Sequence, residues 1–144
     1  MWRELIQRLE PMATFFLAAT PTQITEVEAA LGIAIPEDLK RLLAESNGVF
    51  GSYGLRLIWS AETIEVCNRE MRNAAHYREM YMPFDAYLFF ADAGNGDQFA
   101  FGIIQGEIRQ PDIFVWNHED DSRAWVLPSL ESYIEWWLTG KLHI

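Results

Sequence analysis

Cysteine, histidine and basic side chains are scarce in this sequence. Among 144 residues there are one cysteine, three histidines and eleven Lys or Arg against 21 Asp or Glu, for a net charge of −10. A lone cysteine excludes an intramolecular disulfide and a cysteine-based zinc site. Nucleic acids and anionic lipid surfaces are bound through cationic surfaces, so we expect neither as a direct partner.

Long apolar runs are also missing. No segment approaches the roughly 20 apolar residues that span a bilayer. The first ten residues, Met-Trp-Arg-Glu-Leu-Ile-Gln-Arg-Leu-Glu, carry charges every few positions and lack the apolar stretch of a signal peptide. We therefore expect a cytoplasmic protein without a membrane partner.

Apolar and aromatic residues, by contrast, are abundant. Half of the residues are hydrophobic, with nine Phe, six Trp and five Tyr. A chain of this length buries roughly 70% of the surface that its unfolded form exposes. The composition therefore predicts an ordered protein, and the simplest organisation is a single domain over residues 1–144.

The negative charge is concentrated in one half of the chain. Residues 84–135 contain ten carboxylates and only two basic residues, Arg109 and Arg123, a local balance of −8. Such a surface attracts a basic partner over long range and speeds the encounter. The alternative interpretation is an acidic surface that only keeps the protein in solution.

The first third of the sequence predicts three helices. Residues 2–9 have apolar residues at helical spacing, and Pro11 ends that helix. Thr20 begins the second as a capping residue, and Gly32 is suited to end it in a left-handed conformation. Pro36 begins the third helix, which Asn47-Gly48 closes.

The remainder predicts strands between two further helices. A helix follows Ser60, and another opens at Pro128-Ser129. The turn Gly94-Asn95-Gly96-Asp97 predicts a tight hairpin. Strands are predicted over residues 55–59, 87–92, 98–104, 112–118 and 125–127. The whole predicts an α+β fold, in which an antiparallel or mixed sheet with a central meander packs against N-terminal helices and a C-terminal helix.

These blocks, in this order, resemble the SUKH superfamily, the Smi/Knr-like group that contains many bacterial immunity proteins. Two departures are Ile35, where the family usually has Leu, and the stretch 73–84, which has no alignable pattern. The matching blocks are Leu31-Gly32, Ile35-Pro36, Leu42-Leu43 up to Asn47-Gly48, the hairpin Phe89 to Phe101, Val115 to Glu119, Ser129-Leu130 and Tyr133-Ile134.

The resemblance implies a compact fold without a catalytic centre and without a cofactor. In bacteria such proteins are typically encoded beside secreted toxins, and they neutralise the cognate toxin domain, often a nuclease or another enzyme acting on nucleic acid. It thus implies a protein toxin domain as partner, which the acidic half suggests is basic. Fungal relatives act as regulatory or scaffold proteins, which is the alternative function.

Two clusters could suggest catalysis instead. The run His118-Glu119-Asp120-Asp121 could belong to a divalent-metal hydrolase, but four consecutive side chains point in different directions, while a metal site needs converging ligands. Cys67 lies on the apolar face of a predicted helix, where thiols are usually inert. We therefore predict no catalytic residue and no metal site.

The partner surface is predicted from the acidic loops and the aromatic residues near them. Trp136 lies off the apolar stripe of the last helix, and one of Val115 and Trp116 faces outward unless both faces of the sheet are covered. The sequence leaves open which toxin is bound and whether the chain is an oligomer. The candidate residues are Asp92, Asp97, Trp116, His118, Glu119, Asp120, Asp121 and Trp136.

Overall fold

A computed structural model of the chain describes all of residues 1–144. Its first two helices begin and end where the sequence predicts, whereas the third runs from Glu37 to Glu45 rather than from Pro36 to the Asn47-Gly48 turn. The hydroxyl of Thr20 accepts a hydrogen bond from the Gln23 backbone N–H, and the Gln23 side chain accepts one from the Thr20 N–H. Gly32 ends that helix at a φ of 66°, which costs glycine little. The helices are α1 (Trp2–Leu9), α2 (Pro21–Leu31) and α3 (Glu37–Glu45).

Three more helices follow. Ser60 caps α4 and Ser129 caps α6, each by accepting a backbone N–H three residues on, as predicted. Helix α5 lies inside the stretch without an alignable pattern and was not expected. These helices are α4 (Ala61–Asn73), α5 (Ala75–Met80) and α6 (Leu130–Leu138). None of the six helices is long and apolar enough to cross a membrane.

The strands form two antiparallel sheets. The predicted meander is the second sheet, in the order β4-β5-β6-β7, and the first has the order β1-β2-β3. The Trp59 N–H donates to the Phe90 carbonyl over 2.8 Å and joins the two sheets. The strands are β1 (Thr14–Phe15), β2 (Val49–Phe50), β3 (Arg56–Ile58), β4 (Tyr87–Asp92), β5 (Gln98–Gly102), β6 (Ile113–Trp116) and β7 (Arg123–Leu127).

One continuous hydrophobic core of 32 buried residues lies between these layers. On one face of the meander, the ring of Tyr133 packs against Phe90 and Phe99 at centroid distances of 5.3 and 4.9 Å. On the other face, Phe84 packs edge-to-face against Trp116 at 5.1 Å. Because both faces are covered there, Val115 and Trp116 are both buried.

A buried asparagine fastens α4 to the sheet. The Asn68 amide donates to the Phe89 carbonyl at 2.9 Å, and its oxygen accepts from the Phe89 N–H at 2.9 Å. Burial of a polar amide is tolerated because these bonds satisfy it. These two hydrogen bonds fix the position of β4 relative to α4, and therefore the position of the turn that follows β4.

Candidate functional site: the loop end of the meander

Three connections meet at one end of the molecule, which we call the loop end. They are the 3₁₀ turn Ser52–Gly54, the β4–β5 turn at residues 93–97 and the β6–β7 loop at residues 117–122. A Cβ atom placed on Gly94 would lie 3.3 Å from Leu55, and one on Gly96 would lie 2.8 Å from the His118 ring. The β4–β5 turn therefore lies against the β6–β7 loop on one side and against Leu55, the residue after the 3₁₀ turn, on the other.

Asp97 and His118 tie the last two connections together. Oδ1 of Asp97 accepts a hydrogen bond from the His118 backbone N–H at 3.0 Å and lies 2.6 Å from Nδ1 of its ring. Asp97 is only 6% exposed. A carboxylate so placed orients the imidazole and holds the turn against the loop.

Asp121 holds the other side of the β6–β7 loop. Its Oδ1 accepts from the Trp116 indole N–H at 2.9 Å and from Arg123 at 2.8 Å, while Oδ2 accepts from the Met82 N–H at 2.9 Å. Partial burial disfavours the charge, but these hydrogen bonds outweigh it, so the pKa of Asp121 is lowered. Asp121 is therefore a structural carboxylate that stays ionised.

Arg123, at the start of β7, is the basic residue beside the β6–β7 loop, and its guanidinium is hydrogen-bonded within the protein. It donates to the Pro83 and Met82 carbonyls, both at 2.7 Å, and its guanidinium lies 4.5 Å above the ring of Phe84. The stretch without a sequence pattern is thus held in place by Asp121 and Arg123. We call Asp97, Trp116, His118, Asp121 and Arg123 the inner network.

Glu119 and Asp120 lie at the tip of the loop and are exposed. Their backbone N–H groups both donate to the Asn117 side chain. The backbone N–H of Ser122 bonds the Asp120 carboxylate and lowers the pKa of Asp120. No Lys or Arg pairs with either carboxylate, so two negative charges remain uncompensated at the tip.

Asp92 lies on the other side of the β4–β5 turn, in a cleft of about 760 Å³. Burial raises the pKa of Asp92, although Arg56 and the Trp59 indole N–H act against it. Neither neighbour completes the pairing, because Trp59 Nε1 lacks a well-formed hydrogen bond and none of the salt bridges joins Arg56 to Asp92. The cleft thus contains a carboxylate without a full partner.

Tyr53 stands at the rim of this cleft. Its side chain is fully exposed, and its backbone is left-handed, with a φ of 60°. Bulky residues rarely adopt this conformation, and such strain concentrates at functional positions. Sequence reasoning missed Tyr53, although Gly51 and Gly54 on either side indicate a turn.

The predicted partner residues fall into three groups. Glu119 and Asp120 are exposed at the loop end, and Asp92 and His118 are partly exposed. Asp97 and Trp116 are buried and Asp121 is partly buried, because the pairing with His118, the rings below the sheet and the bond to Arg123 enclose them. Contact of these three side chains with a partner stays a prediction. Trp136 is exposed on α6, and no hydrogen bond links it to the loop end.

The titratable side chains at the loop end form pairs rather than larger converging clusters. No group of three or more His, Cys, Asp or Glu side chains is placed to hold a metal ion. His118 and Asp97 form a pair, but no serine or cysteine is hydrogen-bonded to the imidazole. Burial raises the pKa of the Cys67 thiol, which leaves it a poor nucleophile.

The comparisons with known proteins give one family. Residues 21–134 match the family model SUKH_6, described as SMI1-KNR4 cell-wall. The matched span begins at the first residue of α2, ends within α6 and contains the whole loop end. No curated protein matches the chain significantly.

Proposed function

Because the chain belongs to the SMI1-KNR4 (SUKH) family, which is not known for catalysis, we propose that it is a cytoplasmic immunity protein. In this proposal it neutralises a cognate toxin domain, such as a nuclease, by stoichiometric protein–protein binding. Membership of the family fits an immunity-type role in general. We infer the bound surface and the chemistry of the partner from the geometry of the loop end.

The observation that carries the proposal is that the carboxylates at the loop end fall into a paired group and a group without full partners. In the inner network, the carboxylates of Asp97 and Asp121 are hydrogen-bonded to His118, Trp116 and Arg123. Glu119 and Asp120 have no basic partner, and Asp92 lies in the cleft without a full one; we call these three the outer carboxylates. Preorganised charges of one sign raise the association rate of an oppositely charged protein and fix its orientation.

Two of these features suggest specific contacts. A Lys or Arg side chain entering the cleft would complete the pairing of Asp92, whose burial otherwise disfavours its charge. Tyr53 at the rim provides an aromatic anchor, the residue type enriched where truncation costs most binding energy. The members of the inner network act as positioning residues. Trp136, on α6, stays a predicted contact of a separate surface.

The test is co-expression with the toxic domain encoded beside the gene, followed by copurification and kinetics. Charge reversal by Glu119→Lys and Asp120→Lys should slow association about tenfold or more at low salt and reduce its salt dependence. The control, Glu26→Lys with Glu70→Lys, changes the net charge equally on exposed helix positions away from the loop end.

Two results would contradict the proposal. Absence of both protection and copurification would remove the immunity function. Equal slowing in the two double variants would show that net charge alone drives binding, without a role for the loop end.

A regulatory or scaffold module is the second candidate, and the cell-wall description of the matched family favours it. Such a protein would bind a housekeeping partner through the same surface. A neighbouring gene for a large secreted protein with a toxic terminal domain distinguishes the two, because a regulatory module does not require one.

A further inference from the structure

The outer edge of β7 is open. β7 pairs with β6 alone, and none of residues 124–127 makes a backbone hydrogen bond outside that pairing. The side chains of Ala124 and Trp125 are exposed. The backbone groups that face away from β6 are therefore free to pair with another strand.

The two outer strands of the sheets differ in how they are protected. β1 has only two residues, which is too short a template for another strand. β7 has five, and the four residues Ala124 to Leu127 are apolar. Natural edges are usually blunted by Lys, Pro or an outward charge. In β7 the only charge, Arg123, is turned inward, and Pro128 comes after the strand has ended.

The side chain of Trp125 is exposed beside this edge, and a hydrogen bond fixes its orientation. It is 54% exposed, and its indole N–H donates to Oδ1 of Asp112 at 3.0 Å. Its register partner on β6 is Phe114, which with Tyr87 and Ile104 lines an open cleft of about 180 Å³. An exposed indole fixed by a carboxylate loses little conformational freedom on binding.

The charge around β7 indicates what pairs with it. Glu119 and Asp120 precede the strand and Glu131 follows it, all exposed, while Arg123 is already committed to the inner network. A second copy of this chain would bring another net charge of −10 against the same carboxylates. The surroundings therefore favour a cationic occupant.

We propose that the β7 edge binds an extended, basic segment of a protein partner as an added strand. Main-chain hydrogen bonds to β7 would supply affinity. Apolar side chains over Trp125, with Lys or Arg near the flanking carboxylates, would supply specificity. This surface adjoins the loop end at Glu119 and Asp120 but does not depend on the partner being a toxin.

The test adds three synthetic peptides to the full chain and follows its backbone amides by NMR. The first is acetyl-KVKFKVK-amide, the second is the same peptide methylated at every backbone nitrogen, and the third is acetyl-EVEFEVE-amide. At millimolar concentration the first should shift the amides of residues 124–127 and slow their hydrogen exchange about tenfold. The other two should not.

A pair of variants checks the role of the indole. Trp125→Ala should weaken the first peptide about tenfold or more. Leu17→Ala, which also truncates an exposed apolar side chain, should leave the affinity unchanged. Thermal unfolding of each variant establishes that it is folded.

Several results would overturn the proposal. Equal binding of the methylated peptide would exclude strand addition, and equal binding of the acidic peptide would exclude a basic occupant. No amide shift with the first peptide would remove the site. Protection of residues 124–127 that grows with protein concentration alone would show that the edge binds a second copy.

Discussion

The inner network and the outer carboxylates lie within a few residues of each other and behave oppositely. Asp97 and Asp121 are turned inward, accept several hydrogen bonds each and are paired with His118 or Arg123. Glu119 and Asp120 point to solvent without a basic partner. Acidic residues adjacent in sequence therefore divide into a structural group and a group available to a partner, and only the second contributes a free negative field.

The backbone produces this division. Asp121 has a left-handed φ of 61°, and the Asp121 N–H donates to the Asn117 carbonyl over 2.8 Å. The chain thus turns back, so that Asp121 reaches the Trp116 indole while the two preceding carboxylates remain at the tip. Asp tolerates a positive φ better than most residues, which suits it to this position.

Among the variants that test the difference between the inner network and the outer carboxylates, Asp121→Ala should have the largest effect on stability. This change leaves Arg123 and the Trp116 indole N–H without their carboxylate, and we expect a loss of about 2–4 kcal/mol in the free energy of unfolding. Glu119→Ala and Asp120→Ala should each stay within about 0.5 kcal/mol. Urea denaturation of the three variants measures this.

Asp121→Gly is the matched control, because it removes the same carboxylate but relieves the left-handed backbone. It should recover roughly 0.5–1 kcal/mol relative to Asp121→Ala. If Asp121→Ala cost no more than Glu119→Ala, the assignment of Asp121 to a structural role would be wrong.

The contact between the turn and the loop is tested next by Gly96→Ala. Gly96 has a φ of 100°, and an added Cβ would lie 2.8–3.0 Å from three atoms of the His118 ring. Backbone strain and this clash together should cost about 1–3 kcal/mol.

Gly106→Ala is its control, since Gly106 also has a positive φ, 77°, but has no atom within 4 Å of the added Cβ. The difference between the two variants isolates the clash with His118. Equal losses in denaturant would mean that the imidazole moves aside freely and does not link the two connections.

Local signals explain why most of the fold could be predicted. The capping pair Thr20 and Gln23, the left-handed Gly32 and the capping Ser60 act within a few residues, so the sequence contains them. The α+β class and the meander are confirmed for the same reason. Helix α5 and strand β1 could not be predicted, because α5 has one helical turn and a half and β1 only two residues, and tertiary contacts stabilise both.

The site was predicted less completely. The sequence indicates that residues 117–122 and the β4–β5 turn carry charge, and the structure does bring these two segments together. It does not indicate which carboxylates turn inward, because this depends on long-range partners such as Arg123 with Pro83. Tyr53 and the open edge of β7 were missed, since exposure of a side chain or of a strand edge is set by packing.

A smaller loss in the free energy of unfolding is expected when the pH is lowered. The pKa of Asp121 is lowered from the ordinary 3.8, so its contribution to stability is complete above that value and is lost as the pH falls through the lower folded pKa. We expect stability to fall as the solution is acidified below pH 3.8, seen as up to one additional proton taken up on unfolding. Asp121→Asn should lack that proton, and an unchanged acid slope in this variant would contradict the assignment.

The smallest expected effect has the opposite sign and concerns Asp92. Because burial raises its pKa, the charged form is disfavoured in the folded state, and Asp92→Asn should stabilise the free protein at pH 7 by less than about 1 kcal/mol after solvent screening. The same change should weaken the complex with a basic partner, since the cleft loses its carboxylate. Glu26→Gln, an equal change of charge on an exposed helix position, should alter neither property. A carboxylate that lowers the stability of the free protein but raises its affinity for a partner is typical of a residue retained for binding. If Asp92→Asn instead lowered the free energy of unfolding and left the affinity for the partner unchanged, Asp92 would belong to the structural carboxylates.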